Sequence, residues 1–302
     1  MIKPRKTAIG VLCAIGCEIF FGLSYLFTKT ATETAGAFAL LGWRFLVAFV
    51  VMSLCVASGA VKIKLKGKPI KPLLLVALFN PCIYFIGETI GISRTTASES
   101  GAFLACIPVA SLLASALLLK SKPTRIQLIG ILITLLGVLT TVFAVGATSS
   151  LSVVGYALLL VAVLSYALYS VFVEKAAAYT GAEITYVMLI VGAVVFGAIA
   201  VLEALANGGL GELAALPFRN ADFLVTILYQ GVGCSILAFF MSNVAIARIG
   251  VNRASSFIGV STVVSIAAGA LLLKETFTAW QIIGAVVIIL GVYTANVKKA
   301  AA

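Results

Sequence analysis

The stretch ALLLK at residues 116–120 occurs a second time at residues 270–274, 154 positions further along the chain. With this offset, residues 94–140 align with residues 248–294 without a gap, and 18 of the 47 positions are identical. Several matches are not explained by a shared apolar composition: Arg94 with Arg248, Lys120 with Lys274, Gln127 with Gln281 and Gly130 with Gly284. The sequence therefore predicts two halves of similar fold, residues 1–147 and 148–302.

The composition indicates a membrane protein. Of the 302 residues, 62% are hydrophobic and only 10% are charged, and the mean hydropathy is +1.20. Soluble domains have about 45–50% apolar and about 25% charged residues. A chain with so few polar side chains cannot cover a water-facing surface, so we expect lipid around it.

Ten apolar segments are each long enough to cross about 30 Å of hydrocarbon as a helix. Helices are expected because lipid cannot satisfy exposed backbone groups, and the segments lack the alternation typical of barrel strands. The sequence predicts an all-α integral membrane protein with ten transmembrane helices. The predicted spans are 7–28, 36–58, 72–92, 97–119, 126–146, 151–173, 183–205, 222–243, 252–273 and 279–297.

The basic residues predict the orientation. If the N-terminus is cytoplasmic, 16 of the 21 lysines and arginines fall in cytoplasmic segments, 4 fall in outer segments and Arg44 lies within a span. Positive residues favour the cytoplasmic side, so both termini are expected there. The net charge of +11 follows from this bias. A nucleic-acid partner is not expected, since the basic residues lie in short segments between apolar runs.

Five spans in each half, an odd number, place the second half upside-down relative to the first. Inverted repeats of this kind are typical of secondary transporters, whose binding sites lie near mid-membrane between the halves. Two glycines in each half, Gly130 and Gly137 with Gly284 and Gly291, lie seven residues apart on one helix face. Small residues let helices approach closely, so we expect spans 5 and 10 to pack together. A monomer is expected, with a homodimer as the alternative.

Several motifs resemble the drug/metabolite transporter superfamily, specifically its ten-span EamA-type members. Residues 95–108 (TTASESGAFLACIP) resemble the family's stretch that leads to a helix proline. Residues 271–276 (LLLKET), with Gln281 and Gly284, resemble its "LLLGE…Q…G" signature. Phe21-Gly22 stands where the family often has Trp-Gly, and Arg44-Phe45 fits its arginine in span 2.

The sequence departs from the family pattern at two positions: Ser121 replaces the glutamate of the first signature, and Thr262 replaces the second-half proline. The resemblance implies a bacterial inner-membrane protein that moves amino acids or related metabolites, with export favoured. Exporters of drugs or of nucleoside-type compounds are the alternative within the superfamily. The partners implied are a small-molecule substrate and membrane lipids. The lysine-rich segment 62–68 either holds anionic headgroups or is only a topology signal.

Polar side chains within apolar helices are costly and usually face protein or water, so they are the first candidates for a substrate cavity. On span 1, Glu18 and Tyr25 lie seven residues apart, and on span 3 Asn80, Tyr84 and Glu88 recur every fourth residue. The predicted cavity residues are Glu18, Tyr25, Arg44, Asn80, Tyr84, Glu88, Tyr166, Tyr169, Gln230 and Asn243. Alternatively, Glu18 and Arg44 form a structural ion pair, and Glu88 is solvated near the outer surface.

A proton-coupled mechanism requires a titratable group in the membrane. Because the chain has no histidine, that group must be a carboxylate. Glu18 is the coupling candidate, since it lies deepest in an apolar run. A facilitator without a coupling ion is equally compatible with the sequence.

Other classes of function are less well supported by the sequence. An intramembrane enzyme needs catalytic groups such as clustered histidines or paired aspartates, but the only aspartate is Asp222. The six cysteines form no CxxC pair and there is no histidine, so neither a metal site nor a cofactor is expected. A channel or a sensor scaffold remains as an alternative to a carrier.

Overall fold

The structure is a computed structural model, and it describes residues 4–32, 35–95, 103–104, 106–143, 152–273 and 278–296. This part of the chain consists of helices and their connections, with no strand. The helices are α1 (Pro4–Thr32), α2 (Ala37–Ala57), α3 (Lys71–Ala77), α4 (Tyr84–Ser93), α5 (Ile107–Leu118), α6 (Arg125–Phe143), α7 (Val153–Lys175), α8 (Gly181–Ala206), α9 (Leu210–Arg219), α10 (Ala221–Leu228), α11 (Phe239–Ile249), α12 (Val251–Ser255), α13 (Gly259–Leu273) and α14 (Ala279–Asn296).

Seven stretches of the described chain are long and apolar enough to cross a bilayer: Thr7–Ser24, Ala37–Ala57, Lys71–Ile92, Val153–Lys175, Gly181–Ala206, Ala221–Ile249 and Ala279–Asn296. Each of them overlaps a predicted span. Two further apolar helices, Ile107–Leu118 and Arg125–Thr140, are shorter. The fold class is therefore an all-α membrane protein, as predicted. Helix α9 was not predicted, because its ten residues follow the apolar run of α8 as a mixed polar and apolar segment.

The same side-chain cap begins α6 and α14. The Thr124 amide donates to Gln127 Oε1 at 2.9 Å, and the Thr278 amide donates to Gln281 Oε1 at the same distance. Each threonine hydroxyl in turn accepts a hydrogen bond from the backbone amide of the glutamine. This reciprocal arrangement satisfies backbone donors that a helix start leaves unpaired. The internal repeat therefore extends from sequence to local structure.

Helices α6 and α14 pack closely and run antiparallel. A Cβ atom on Gly130 would collide with the backbone of Ala295, and one on Gly137 would lie 2.7 Å from the Ile288 nitrogen. Residue numbers therefore fall along α14 as they rise along α6. The predicted packing of these two helices through their glycines is confirmed, and only small residues permit so close an approach.

The second helices of the two halves, α2 and α8, are also antiparallel neighbours. The rings of Phe45 and Phe196 stack with centroids 5.2 Å apart, and the hydroxyls of Ser53 and Tyr186 lie 3.2 Å apart. The other main contacts follow the same symmetry: α1 packs against α11 and α13, and α7 packs against α4 and α5. Exchanging the two halves leaves this pattern unchanged, which is the relationship expected for a pseudo-twofold repeat.

The largest hydrophobic core lies where α2, the α3–α4 region, α7, α8 and α11 meet. Phe45, Leu73, Tyr169, Met188 and Phe196 are fully buried there. Since lipid is as apolar as these side chains, close packing rather than exclusion of water holds the helices together. The core fixes the helices that carry the polar side chains described below.

At one end of this core, the lysine-rich segment is attached to the start of α8. Lys68 Nζ lies 2.7 Å from Glu183 Oε2, and the Lys64 amide donates to Glu183 Oε1 at 2.9 Å. The Thr180 amide donates to the same carboxylate at 2.8 Å as part of a capping box. Lys68 is therefore engaged by protein, whereas Lys62, Lys64 and Lys66 are exposed. Only these three side chains remain available for headgroups.

Candidate transport site

Two helices depart from regular α-helical geometry at corresponding places in the two halves, and we refer to these two segments as helix interruptions. Between α3 and α4, Leu78–Ile83 contains Asn80 in an extended conformation (φ −143°, ψ 118°), and Pro81 follows it. Between α10 and α11, Tyr229–Ala238 has π-type hydrogen bonding and contains Gly231 and Gly233. Interruptions at equivalent positions of a repeat are a common marker of transporter binding sites, because they expose backbone groups to a cavity.

The second interruption lies directly against α2 beside Arg44. A Cβ atom on Gly231 would approach the Arg44 carbonyl oxygen to 3.1 Å, so a side chain here would require a shift of a few tenths of an ångström. The Arg44 side chain reaches into the interrupted segment. Its Nε donates to Ser235 Oγ at 2.8 Å, and its Nη1 lies 3.4 Å from Gln230 Oε1. Arg44 therefore links the two halves.

Aromatic rings complete the surroundings of Arg44. Its guanidinium carbon lies 4.8 Å from the centroid of the Phe85 ring and 5.5 Å from that of Phe45. Cation–π contacts of this kind stabilise a buried cation without neutralising it. We refer to Arg44, Ser235, Gln230, Phe45 and Phe85 as the Arg44 cluster.

Glu88 lies on α4 near the Arg44 cluster. Its Oε1 accepts a hydrogen bond from the Tyr84 hydroxyl at 2.7 Å, one turn earlier on the same helix. The Glu88 side chain is partly buried. Because the side chain is only partly buried, the alternative that Glu88 is solvated near the outer surface stays open.

Glu18 occupies a separate pocket. It is 4% exposed, and the Cys17 sulfur lies 3.6 Å from its Oε1. The cavity beside it has room for roughly one water molecule. We refer to it as the Glu18 pocket, and it is lined by Ala14, Cys17, Glu18, Tyr166, Ser170, Ser242, Ala245, Ile246, Ala254 and Ser255. Four hydroxyl groups in this lining can hydrogen-bond a water molecule or a small polar group.

Glu18 and Arg44 do not form the ion pair that the sequence left open. Both residues lie in the described chain, and their side chains are not within 4.0 Å of each other. Tyrosines connect their surroundings instead: the ring centroids of Tyr84 and Tyr166 are 5.7 Å apart. The two buried charges therefore belong to neighbouring but distinct polar regions.

Comparison with known proteins identifies the family. The model of the EamA-like transporter family matches residues 8–143 and again residues 153–297. The chain belongs to the EamA-like transporter family. It is accordingly a multi-pass membrane transporter and not an enzyme.

Relatives of this EamA-like transporter are found in bacteria and archaea. It is 34% identical over 300 residues to the uncharacterized transporter YcxC of Bacillus subtilis (strain 168), covering 99% of this chain and 96% of that protein. An uncharacterized transporter of Archaeoglobus fulgidus is 22% identical over 280 residues, covering 93% and 96%. A solved crystal structure matches with a TM-score of 0.75 at 16% identity, covering 96% of this chain and 98% of that one. This last likeness concerns the fold alone.

The remaining predicted site residues of the EamA-like transporter have different surroundings. Asn243 accepts from the Tyr169 hydroxyl at 2.8 Å, and its Nδ2 donates to Thr185 Oγ1 at 3.0 Å. Both Tyr169 and Asn243 are buried in this network, which joins α7, α8 and α11. Asn80 differs, because its buried Oδ1 has no hydrogen-bond partner in the described chain. The side chain of Tyr25 lies outside the described residues.

Sequence reasoning missed Ser235, Phe85 and Ser242, which complete the two polar regions. Serine and phenylalanine are common in transmembrane helices, so composition does not mark them. The offset of 154 residues provides a signal for Ser235, since it places this residue opposite the Asn80-Pro81 interruption of the first half.

Proposed function

We propose that the protein is a secondary transporter of small polar solutes, chiefly amino acids or related metabolites. We propose that it exports them across a bacterial inner membrane. The proposed architecture has ten spans in two inverted five-helix halves, residues 1–147 and 148–302, with both termini cytoplasmic. The solute binds between the halves and is released to either side in turn.

The observation that carries this proposal is the pair of helix interruptions. They lie at corresponding positions of two halves whose equivalent helices run antiparallel, and one of them contacts a buried arginine. Two such halves can exchange conformations, so that a central site opens first to one face and then to the other. A bundle that served only as a scaffold would not need Asn80, Gln230 and Arg44 at mid-helix positions, where polar side chains are costly.

Glu18 is proposed as the coupling carboxylate. The location of Glu18 supports this role, because the side chain lies in the Glu18 pocket among hydroxyl groups, with room for about one water molecule. Proton binding at this site would change the charge beside the helices α1, α7 and α11, which belong to both halves. Coupling to a proton gradient would then follow from a preference of one conformation for the protonated form.

Counterflow in proteoliposomes tests the proposed function. Vesicles loaded with an unlabelled amino acid are diluted into labelled amino acid, and internal label is followed over time. A carrier gives a transient accumulation of label above the external concentration. Simple equilibration of label would indicate a channel and contradict the proposal. Vesicles loaded with nucleosides or cationic drugs test the alternative substrates.

A further inference from the structure

Arg44 carries a buried positive charge that forms no ion pair within the described part of the chain. Its side chain belongs to a residue that is only 6% exposed, and in the described chain no carboxylate lies within 4.0 Å of its guanidinium. A charge within a membrane protein is costly and normally has a counter-charge. An anion from outside the chain, such as a carboxylate group of the solute, would supply that counter-charge.

The hydrogen-bonding pattern leaves one edge of the guanidinium open. Nε is taken by Ser235, while Nη1 has only the 3.4 Å contact with Gln230 and Nη2 has no acceptor in the described chain. The rings of Phe45 and Phe85 contact the guanidinium group itself. The edge formed by Nη1 and Nη2 presents two parallel N–H groups, and this geometry matches a carboxylate.

The partners that hold Arg44 are themselves fixed. Ser235 and Gln230 are at most 1% exposed, and both lie in the interrupted segment of the second half. Glu88, on the same helix as Phe85, is hydrogen-bonded to Tyr84 on its own helix. The guanidinium is therefore oriented in advance by neutral groups, which lowers the entropic cost of binding an anion.

We infer that Arg44 binds the carboxylate group of the transported solute through Nη1 and Nη2. This inference rests on the proposed function and narrows it: the substrates are carboxylates, such as amino acids, and not nucleosides or cationic drugs. Because Arg44 lies on α2 and its hydrogen-bond partners Ser235 and Gln230 lie in the second half, a carboxylate bound to Arg44 lies beside both halves. A purely structural Arg44 would join the halves equally well but would give no preference for carboxylates.

The test compares a carboxylate with its amide. Counterflow of a labelled amino acid is measured in competition with the unlabelled amino acid, with its carboxamide and with the decarboxylated amine. In the wild-type protein the amide and amine are expected to compete about 10- to 100-fold more weakly, the range for loss of hydrogen bonds to a charged group. Equal competition by all three compounds would overturn the inference without any variant.

Variants then assign the preference to Arg44. Arg44→Gln is expected to reduce the difference between acid and amide to about threefold or less, and Arg44→Lys is expected to retain about a tenth of the wild-type preference. The matched control is Arg253→Gln, since Arg253 lies on α12 and is bound to Asn296 at the end of α14. It should leave the preference unchanged. Full acid preference in a folded Arg44→Gln protein would contradict the inference.

Two further measurements distinguish failure of this inference from failure of the proposed function. If Arg44→Gln does not reconstitute, stabilisation of the detergent-solubilised proteins by acid and by amide gives the same comparison without transport. Counterflow of amines or nucleosides without counterflow of carboxylates would overturn the inference and leave the carrier function intact. Failure of every solute class in folded wild-type protein would overturn both.

Discussion

Gly130 of α6 lies so close to the backbone of Ala295 of α14 that no side chain fits between them. Four residues further along α6, Thr134 lies equally close to Gly291 of α14: a Cβ atom added to Gly291 would lie 2.5 Å from the Thr134 nitrogen. The last helix of each half, α6 or α14, therefore packs antiparallel against its counterpart. This interface holds the two halves together at the pseudo-twofold axis.

Substitution of Gly130 by alanine should destabilise the protein without affecting the site. The added methyl group would force the helices apart, and overpacking of this kind costs about 1–3 kcal/mol. Gly197→Ala on α8 is the matched control, because nothing lies within 4 Å of its added Cβ. The control should be neutral or stabilising by up to about 1 kcal/mol. Thermal unfolding in detergent, followed by a dye that reacts with newly exposed cysteines, measures both. A lower unfolding temperature for Gly197→Ala alone would contradict the described interface.

Asn80 and Asn243 should respond in opposite ways to substitution by leucine. Asn243 has three partners, Tyr169, Thr185 and Met188, so Asn243→Leu should cost about 1–3 kcal/mol of stability. Asn80 Oδ1 is buried without a partner in the described chain, so Asn80→Leu should leave stability unchanged or raise it. Its counterflow rate should nevertheless fall about tenfold if the amide contacts the solute. An Asn80→Leu protein that is unstable and still transports would show that the amide is structural.

Glu18→Gln should uncouple transport from the proton gradient. The amide is similar in size to the carboxyl group but cannot take up a proton, so counterflow should continue while stimulation by an imposed pH gradient is lost. Glu212→Gln on α9 is the control, since Glu212 is exposed and far from the Glu18 pocket. The measurement is the ratio of uptake with and without a pH gradient. An unchanged ratio in Glu18→Gln would remove Glu18 from the coupling role.

The ion pair between Lys68 and Glu183 should protect the lysine-rich segment from proteolysis. Glu183→Gln removes the charge that holds Lys68 Nζ at 2.7 Å. Loss of about 1.4 kcal/mol from this partly buried pair corresponds to about tenfold more frequent opening. Trypsin should then cleave after Lys62, Lys64 and Lys66 about ten times faster, with Glu212→Gln again as the control; Lys68 and Lys71 precede prolines and are not trypsin sites. Equal cleavage rates would show that the pair does not restrain this segment.

Much of the fold follows from the sequence because its signals are local or repeated. Apolar runs predict the helices, and the 154-residue offset predicts the packing of Gly130 and Gly137 against α14. Pairing within the interior is harder to predict. Glu18 and Arg44 are the two acidic or basic side chains within the first two spans, yet each lies beside neutral polar groups of the second half. Ser242 lines the Glu18 pocket, and Ser235 and Gln230 contact Arg44.

The helix interruptions show the same limit. Asn80-Pro81 indicates a bend in span 3, and the structure has extended backbone at Asn80. The matching segment Tyr229–Ala238 contains no proline, and its glycines become meaningful only when Gly231 is placed against the Arg44 carbonyl oxygen. Contacts between helices that are distant in sequence depend on how the whole bundle packs, and a single span does not contain that information.

The central claim, that the two halves have opposite orientations in the membrane, is tested most directly at Arg125 and Ala279. These residues occupy equivalent positions at the exposed starts of α6 and α14. Each is replaced by cysteine in a chain whose six native cysteines have been removed, and labelled with a membrane-impermeant maleimide in right-side-out and inverted vesicles. Arg125→Cys should be labelled only from the cytoplasmic face and Ala279→Cys only from the opposite face. Labelling of both positions from the same face would contradict the claim.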